Sequence, residues 1–438
     1  MATKERMQTL PLPLQQAVGK TSLVRAVRDI LNAPMEPRMF SVASVPNAFT
    51  GVLGAEMAGH TGAMAATWEE AAAGAIGECV ERYCCTAQPP ELLTSAAVDL
   101  PAPGIMMPEL EVYSEMEYDI PGFPFQRQTP QTVTTWVHAR RILDDAACFV
   151  PASMVFIPYQ TTFPDRSDML TFAVSTGQAC HSDRELALVR GLYEAIERDA
   201  FMITWLREMP ATRIEYRDDA IVGPWYRQYL ESPTMEFHLF RLGNDIDVPT
   251  LACVGRGTSQ FGPFACVGAS TRANERLAAI KALTEAAQGA VWVRDLINTK
   301  PDWRPEPDYR NVLDFEDHVR LYGLPEMMQH LDFLYQGGTD QLRDGPRPET
   351  EDAASDLAFT LAELQRVGLE PVSLDITTPD VEAMGLCVLK VIIPGTAQLT
   401  SVHGLPALGS HRLFSVPKHV GLLDPAEPKF NPIPHPFP

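Results

Sequence analysis

No stretch of this chain approaches the roughly 18 consecutive apolar residues that a membrane-spanning helix needs. One of its longest apolar runs, Leu386 to Pro394, has the length of a buried strand. The opening residues, MATKERMQTLPLPLQQ, lack the apolar core and cleavage site of a secretory signal. Basic charge is scarce: 35 Lys+Arg face 56 Asp+Glu, a net charge of −21. That balance argues against general binding to a nucleic-acid backbone, which needs a basic footprint. It leaves room for ATP, which a few local groups and a metal can hold. The eight cysteines, at positions 79, 84, 85, 148, 180, 253, 266 and 387, form no C-x-x-C, and none pairs with histidine at zinc-finger spacing. They read as reduced, mostly buried thiols of a cytosolic protein. Cys180 beside His181 offers a nucleophile–base pair on paper, but sequence neighbours seldom meet the geometry of a dyad. Also missing are G-x-x-x-x-G-K-[ST] and the HRD and DFG motifs of kinases, so a nucleotide site here must follow another design.

What is present is the balance of a globular protein, with 45% hydrophobic and 21% charged residues. A short helix is expected over Thr21 to Asn32. Helices are also expected over Thr67 to Tyr83, with Thr67 and Glu70 as a capping box, and over Asp183 to Arg207, with Ser182 and Glu185 as another. A third long helix is expected over Asn274 to Leu296. Strands are expected over Thr132 to Ala139, Ala147 to Ile157, Phe237 to Leu242, Thr250 to Val254 and Phe264 to Ala269. Residues 86–131 and 300–350 are rich in proline and polar groups; the first reads as loops, the second as a surface insertion. Further on, Ser355 to Val367 reads as helix, and Pro371 to Asp375 and Leu386 to Ile393 as strands. Interleaved strands and long helices make the class α/β or α+β, with several subdomains.

The three long helices share a pattern. Each carries Glu-x-x-Glu or Glu-x-x-Gln after an alanine-rich turn: Glu78 and Glu81, Glu194 and Glu197, Glu285 and Gln288. Each follows a glycine-bearing stretch, Gly59 to Gly62, Ser175 to Gly177 and Gly268 to Thr271. In the second and third copies the glycine precedes the first Glu by 17 residues. Positions i and i+3 share a helix face, so each helix presents two oxygen-bearing groups together, flanked by Ile76 and Val80, Leu192 and Ile196, or Leu283 and Ala287. Crowded carboxylates repel and raise one another's pKa. A divalent cation removes that penalty, and an all-oxygen donor set points to Mg²⁺ shared with phosphates. The glycine-bearing turns, including Ser175, are expected to seat phosphate on free backbone N–H groups. A single E-x-x-E-R is ordinarily a solvated face with an arginine partner; three matched copies favour a site. Arg82 and Arg198 are expected to anchor their helices by ion pairs.

The run Ser175-Thr-Gly-Gln-Ala-Cys-His-Ser-Asp-Arg-Glu-Leu-Ala-Leu-Val-Arg-Gly-Leu-Tyr-Glu194-Ala-Ile-Glu197-Arg-Asp-Ala-Phe201 resembles the central signature of the YcaO family. Gly59 to Tyr83 resembles its first motif and Phe264 to Gln288 its third. Gly368 to Pro379, Val391 to Gly395, Leu408-Gly409 and Arg412-Leu413 resemble its later segments. The likeness runs from about residue 40 to the end, leaving 1–40 as an N-terminal segment and 41–438 as the YcaO domain. Lys390, where the family more often has Arg, and His60-Thr61, where a lysine is common, are departures. The resemblance implies ATP and Mg²⁺ as cofactors, with Glu78, Glu81, Glu194, Glu197, Glu285 and Gln288 as nucleotide ligands and the five glutamates as metal ligands. It implies activation of peptide backbone amides, a precursor-peptide substrate, an E1-like leader-binding partner, a flavin-dependent dehydrogenase acting afterwards, and a homodimer.

The end of the chain, Asn431-Pro-Ile-Pro-His-Pro-Phe-Pro438, alternates prolines and favours an extended polyproline rod within a tail spanning 425–438. Such a tail ordinarily means a disordered or docking segment. A terminal P-x-P-x-P also resembles the ending of azoline-forming YcaO cyclodehydratases, which implies a catalytic carboxylate on Pro438. The preferred expectation is therefore an ATP-dependent cyclodehydratase of Cys, Ser or Thr in a ribosomal peptide. A YcaO enzyme forming thioamides or amidines, and a non-catalytic scaffold, are the alternatives.

Overall fold

The computed structural model describes residues 3–34, 36–57, 59–89, 92–161, 163–260, 262–343, 352–422 and 429–437. Val24–Ile30 (β1), Phe40–Pro46 (β2) and Thr61–Ala65 (β3) form an antiparallel sheet with β2 in the middle. The segment expected as a helix over Thr21 to Asn32 is therefore a strand. Its apolar positions, Leu23, Val24, Val27, Ile30 and Leu31, carry helical spacing. A register shift between Val24 and Ala26 breaks the alternation that would have revealed it.

Leu93–Ala96 (β4), Val133–Arg141 (β5), Ala147–Pro151 (β6) and Gln178–His181 (β7) begin a second sheet. Thr212–Glu215 (β8), Met235–Arg241 (β9), Thr250–Ser259 (β10), Gly262–Thr271 (β11) and Thr339–Gln341 (β12) form a third, in the order β11-β10-β9-β8-β12. Val372–Asp375 (β13) and Cys387–Ile392 (β14) complete the second sheet between β5 and β7. The expected strand after Ala147 is shorter than read, because Ala152–Met154 turns into a 3₁₀ segment.

Trp68–Thr86 (α1), Arg184–Leu206 (α2) and Glu275–Thr299 (α3) are the long helices. Thr67 caps α1 by accepting the N–H of Glu70, and Asn274 caps α3 by accepting those of Arg276 and Leu277. The cap of α2 is Asp183 rather than Ser182; its carboxylate takes the N–H groups of Glu185 and Leu186. The apolar face of α1 packs on β2 and β3 and reaches β7. Helix α2 sits between β7 and β14 on one side and β11 on the other, and α3 covers β10 and β11. Among the other described helices are Val222–Tyr229, Phe315–Leu321 (α4), Ala353–Arg366 (α5) and Arg412–His419 (α6). The stretch read as a surface insertion contributes buried His318, Tyr322 and Leu331 to the interior; its residues 344–351 lie outside the described residues.

Close backbone approach dictates two glycines. Gly177 has φ +82°, and a Cβ there would lie 2.1 Å from the Val391 carbonyl oxygen. A Cβ on Gly268 would lie 2.3 Å from the Ala286 nitrogen of α3. The far end of α2 is tied down by charge. Arg412, 2% exposed, contacts Asp199 at 2.9 Å and Asp245 at 2.7 Å, and Asp199 also accepts the Ala397 N–H at 2.9 Å. Removing one partner of such a buried pair leaves uncompensated charge and costs about 3–5 kcal/mol. Arg412→Ala should lose that much in urea unfolding, with Asp199→Asn/Arg412→Met recovering part of it. A loss under about 1 kcal/mol would show that the pair is not structural.

Candidate functional site

The three long helices belong to three strand–helix units: β3–α1, β7–α2 and β11–α3. In each, the first glutamate returns to the glycine of its own unit. Glu78 Oε2 accepts the Gly62 N–H at 3.2 Å, and Glu194 Oε2 accepts the Gly177 N–H at 3.1 Å. Glu285 packs with its Cβ over Gly268. The second acidic or amide group reaches the strand of the next unit. Glu81 Oε1 accepts the Cys180 N–H of β7 at 2.7 Å. Glu197 Oε2 accepts the Thr271 N–H of β11 at 3.2 Å. Gln288 Oε1 accepts the Met64 N–H of β3 at 3.2 Å, and its Nε2 donates to Gly62 O at 2.9 Å. The third unit thus returns to the first, and the three units close into a ring. An amide at position 288 makes a bond that a carboxylate, an acceptor only, could not.

This geometry corrects the expected phosphate seats. Gly62 and Gly268 lie within strands, and the N–H groups of Gly62, Gly177 and Thr271 are bonded to glutamates. Ser175 is exposed, with its carbonyl accepting the Gln178 N–H; no described hydrogen bond brings it to the glutamates. Cys180 and His181 do not form a dyad. Burial, with Glu81 beside it, pushes the Cys180 thiol far up, and His181 Nδ1 accepts the Asp183 N–H at 2.8 Å.

The ring crowds carboxylates. Burial raises the Glu81 carboxyl to about 8, and Glu194 and Glu78 push the same way against the Cys180 N–H. Burial and then Glu285 raise Glu197 to about 8, with Arg198 opposing. Glu194 is raised by burial and by Glu285, while Arg198, Lys390 and the Gly177 N–H pull it down. These mutual repulsions show that α1, α2 and α3 point their acids at common ground. Arg82 lies 2.6 Å from Glu78, and Arg198 lies 3.5 Å from Glu194 and 3.7 Å from Glu197, as the helix-anchoring reading expected. Lys390, 3% exposed, donates from Nζ to Val174 O at 2.6 Å, and burial lowers it to about 8 against the pull of Cys85 and Glu194.

The proline tail ends here. Its carbonyls are read one after another by side-chain donors: Trp205 Nε1 to Ile433 O at 2.9 Å, Tyr322 Oη to Pro434 O at 2.8 Å, and His318 Nδ1 to His435 O at 2.8 Å. Asn431 N–H donates to Leu206 O at 2.8 Å, and His435 Nε2 donates to Thr400 O at 2.9 Å. Phe437, 1% exposed, packs on Phe201, and the Arg198 guanidinium lies 4.0 Å from its ring centroid. Pro438 and residues 423–428 lie outside the described residues. The sequence pointed to a rod in the tail; the donors that hold it, from α2 and from the 300–350 stretch, carry no motif.

The family description "YcaO cyclodehydratase, ATP- and Mg2+-binding" matches residues 63–397, and the chain belongs to the YcaO family. An uncharacterised protein of Methanothermobacter thermautotrophicus is 29% identical over 343 residues, 75% of this chain and 79% of that protein. Among solved structures, a heterocyclase in complex with substrate and cofactor superposes with TM-score 0.76 and 19% identity, over 98% of this chain and 57% of that one. YcaO from Methanopyrus kandleri, bound with AMPPCP and Mg²⁺, superposes with TM-score 0.61 and 16% identity, over 92% of this chain and 90% of that one. This chain therefore spans little more than half the length of that heterocyclase. The fold is the mixed α+β YcaO fold, and the cofactors are ATP and Mg²⁺.

The residues fit that pair. The donors are all oxygens: burial and mutual repulsion raise Glu81, Glu194 and Glu197, and each of the five glutamates has a cation or a backbone N–H beside it, Lys281 lying 3.3 Å from Glu285. Among the described residues no three acidic, histidine or cysteine side chains converge into a ready metal cage; a Mg²⁺ ion held here would take phosphate oxygens as well.

The tail's seat carries a pH dependence. The His318 and His435 rings stack at 3.9 Å. Burial lowers His318 to about 4 and, with His318 beside it, lowers His435 well below its ordinary value; burial also lowers nearby His403. Between pH 6.5 and 4 these histidines bind protons in the unfolded chain that they refuse in the folded one, so their contribution to stability falls as pH falls through this window. For His318 alone the loss is about 2 kcal/mol by pH 5. Glu81 and Glu197, raised to about 8, act in the opposite sense over the same range, so the His318 contribution is read as a difference. In urea unfolding at pH 7 and 5, His318→Phe should shift the change in stability by about 2 kcal/mol in favour of pH 5 relative to the unchanged chain. The same change in stability in both chains would contradict the assignment.

Proposed function

We propose that the chain is an ATP-dependent peptide cyclodehydratase that converts Cys, Ser or Thr of a ribosomally synthesised precursor to thiazoline or oxazoline. The observation that carries this reading is the course of the tail. A polyproline rod is threaded through a dedicated set of donors so that Phe437 rests on Arg198, which holds Glu194 and Glu197. A segment held by this many donors, with Phe437 set on Arg198 beside the acidic ring, supports a part in the chemistry rather than in docking. The same feature disfavours the scaffold reading and the thioamide or amidine alternatives, which bring their nucleophile from outside.

In the net reaction the peptide side chain attacks the preceding carbonyl, and the peptide loses one water as ATP becomes ADP and phosphate. Bound Mg²⁺·ATP supplies the phosphoryl group that turns the amide oxygen into a leaving group. The chain's own residues position. Glu78, Glu81, Glu194, Glu197 and Glu285 hold the metal and nucleotide, and Gln288 keeps α3 in register with β3. Arg198 and Lys390 offset charge along the carboxylates. We assign the Pro438 carboxylate as the base that takes the proton released on ring closure. An E1-like protein that recognises the leader is proposed as a partner. A flavin-dependent dehydrogenase acting on the azoline and a homodimeric assembly remain part of the proposal. None of the described helices is long and apolar enough to cross a membrane.

Glu194→Gln and Glu197→Gln should each lower peptide-dependent ATP hydrolysis by at least about a hundredfold, the scale of losing a group that stabilises transition-state charge. Mass spectrometry of the peptide product should show loss of about 18 Da, and deletion of Pro438 alone, which keeps the buried residues 434–437, should abolish that loss. A gain of about 16 Da would favour the thioamide alternative, and normal dehydration by the truncated chain would remove Pro438 from the mechanism.

A further inference from the structure

A narrow, partly open cleft with a cavity volume of about 40 Å³ lies beside Ala195, the residue that follows Glu194 on α2. One wall is the irregular chain at Thr171–Thr176, which precedes β7; the other is the chain at Thr396–Val402, which follows β14. Its apolar lining comes from Val112, Met154, Phe172, Leu399, Val402 and Leu405. Lys390 and Thr176 stand at the end nearest the acidic ring. Phe172 is 45% exposed, a large apolar surface with no cover.

The walls have a second property. Among the described residues, the backbone N–H groups from Thr171 to Thr176 and from Leu399 to Val402 donate no hydrogen bond within the chain, although Gly177 and Gln178 just beyond them do. Both stretches are unladdered: the first leads into β7, the edge strand of its sheet, and the second follows β14, which pairs with β7. Unpaired backbone donors beside apolar side chains are what an extended peptide completes, main chain giving affinity and pockets giving specificity. The second wall is also fastened to the tail, because Thr400 O accepts from His435.

We infer that this cleft binds the substrate peptide in extended form and takes an apolar side chain flanking the residue that is cyclised. The inference rests on the proposed activity for the identity of the peptide; the cleft reaches Ala195 and Lys390, beside Glu194 of the ring. It adds a specificity element that the acidic ring does not contain. It also gives the tail a second effect: holding Thr400 in place, it sets the width of the peptide channel.

Two measurements on the full chain with AMPPCP and Mg²⁺, or with ATP, test this. A synthetic peptide with one cysteine flanked by diazirine-bearing leucines should crosslink to residues 171–176 or 398–405; crosslinks mapped elsewhere would overturn the inference. In turnover, the peptide with leucine flanks should exceed its lysine-flanked twin in kcat/KM by about tenfold. Val402→Asp should reverse that preference, a gain that misfolding cannot produce; an unchanged ratio would overturn the inference. The failures are separable. Crosslinks at the cleft without loss of water from the peptide would leave the cleft assigned and sink the azoline reading. Loss of water with crosslinks elsewhere would do the opposite.

Discussion

The structure depends on three backbone N–H groups, those of Cys180, Thr271 and Met64, each donated to a side chain from the helix of the preceding unit. These bonds join three strand–helix units into a ring, and they fix where the acids stand. A buried carboxylate is expensive unless something meets its charge. A single N–H meets one oxygen and leaves the other for a neighbour. Repeated around the ring, this produces a cluster of acids that is held in place while burial and neighbouring acids raise Glu81, Glu194 and Glu197. In the proposed function, Mg²⁺ and the phosphates of ATP would bind among these acids. The third unit shows the logic by exception: Gln288 adds no charge and spends both ends of its amide on β3.

Around the ring, the remaining parts are aimed at it. Arg412 and Asp199 brace the far half of α2 against the loop that carries Asp245 and Ala397. The tail crosses the same half of α2, with Trp205 and Phe201 as its floor and Tyr322 and His318 as donors from the opposite side. One helix therefore holds the acids on two turns and the tail on the next two. Rigid placement of this kind is what phosphoryl transfer asks of a protein, because most of its catalysis is positioning and charge stabilisation.

Much of this was readable in the residues. Alanine-rich turns ending in Glu-x-x-Glu or Glu-x-x-Gln, with Thr67 as a cap, identified α1 and α3 nearly to their ends, and the shared pattern identified the acids as a set. The glycines were misread because sequence spacing records that a small residue is needed, not why; at Gly268 the reason is contact with α3, at Gly177 a left-handed turn under Val391. Helical spacing of apolar residues concealed β1, since the register shift beside Val24 imitates a helix face. The ring itself was invisible: pairs such as Glu81 with Cys180, or Gln288 with Met64, are separated by 99 and 224 positions and joined by backbone groups that every residue carries. The same holds for the tail's seat, where the sequence announces the ligand and hides the receptor.

The most direct test of a ring-borne nucleotide site is a crystal structure of this chain with AMPPCP and Mg²⁺. The expected result is Mg²⁺ bridging the phosphates to carboxylates of at least two of the three helices, with the hydrogen bonds from Cys180, Thr271 and Met64 kept. Phosphates seated away from Glu78, Glu81, Glu194, Glu197 and Glu285, with those carboxylates left without metal, would contradict it.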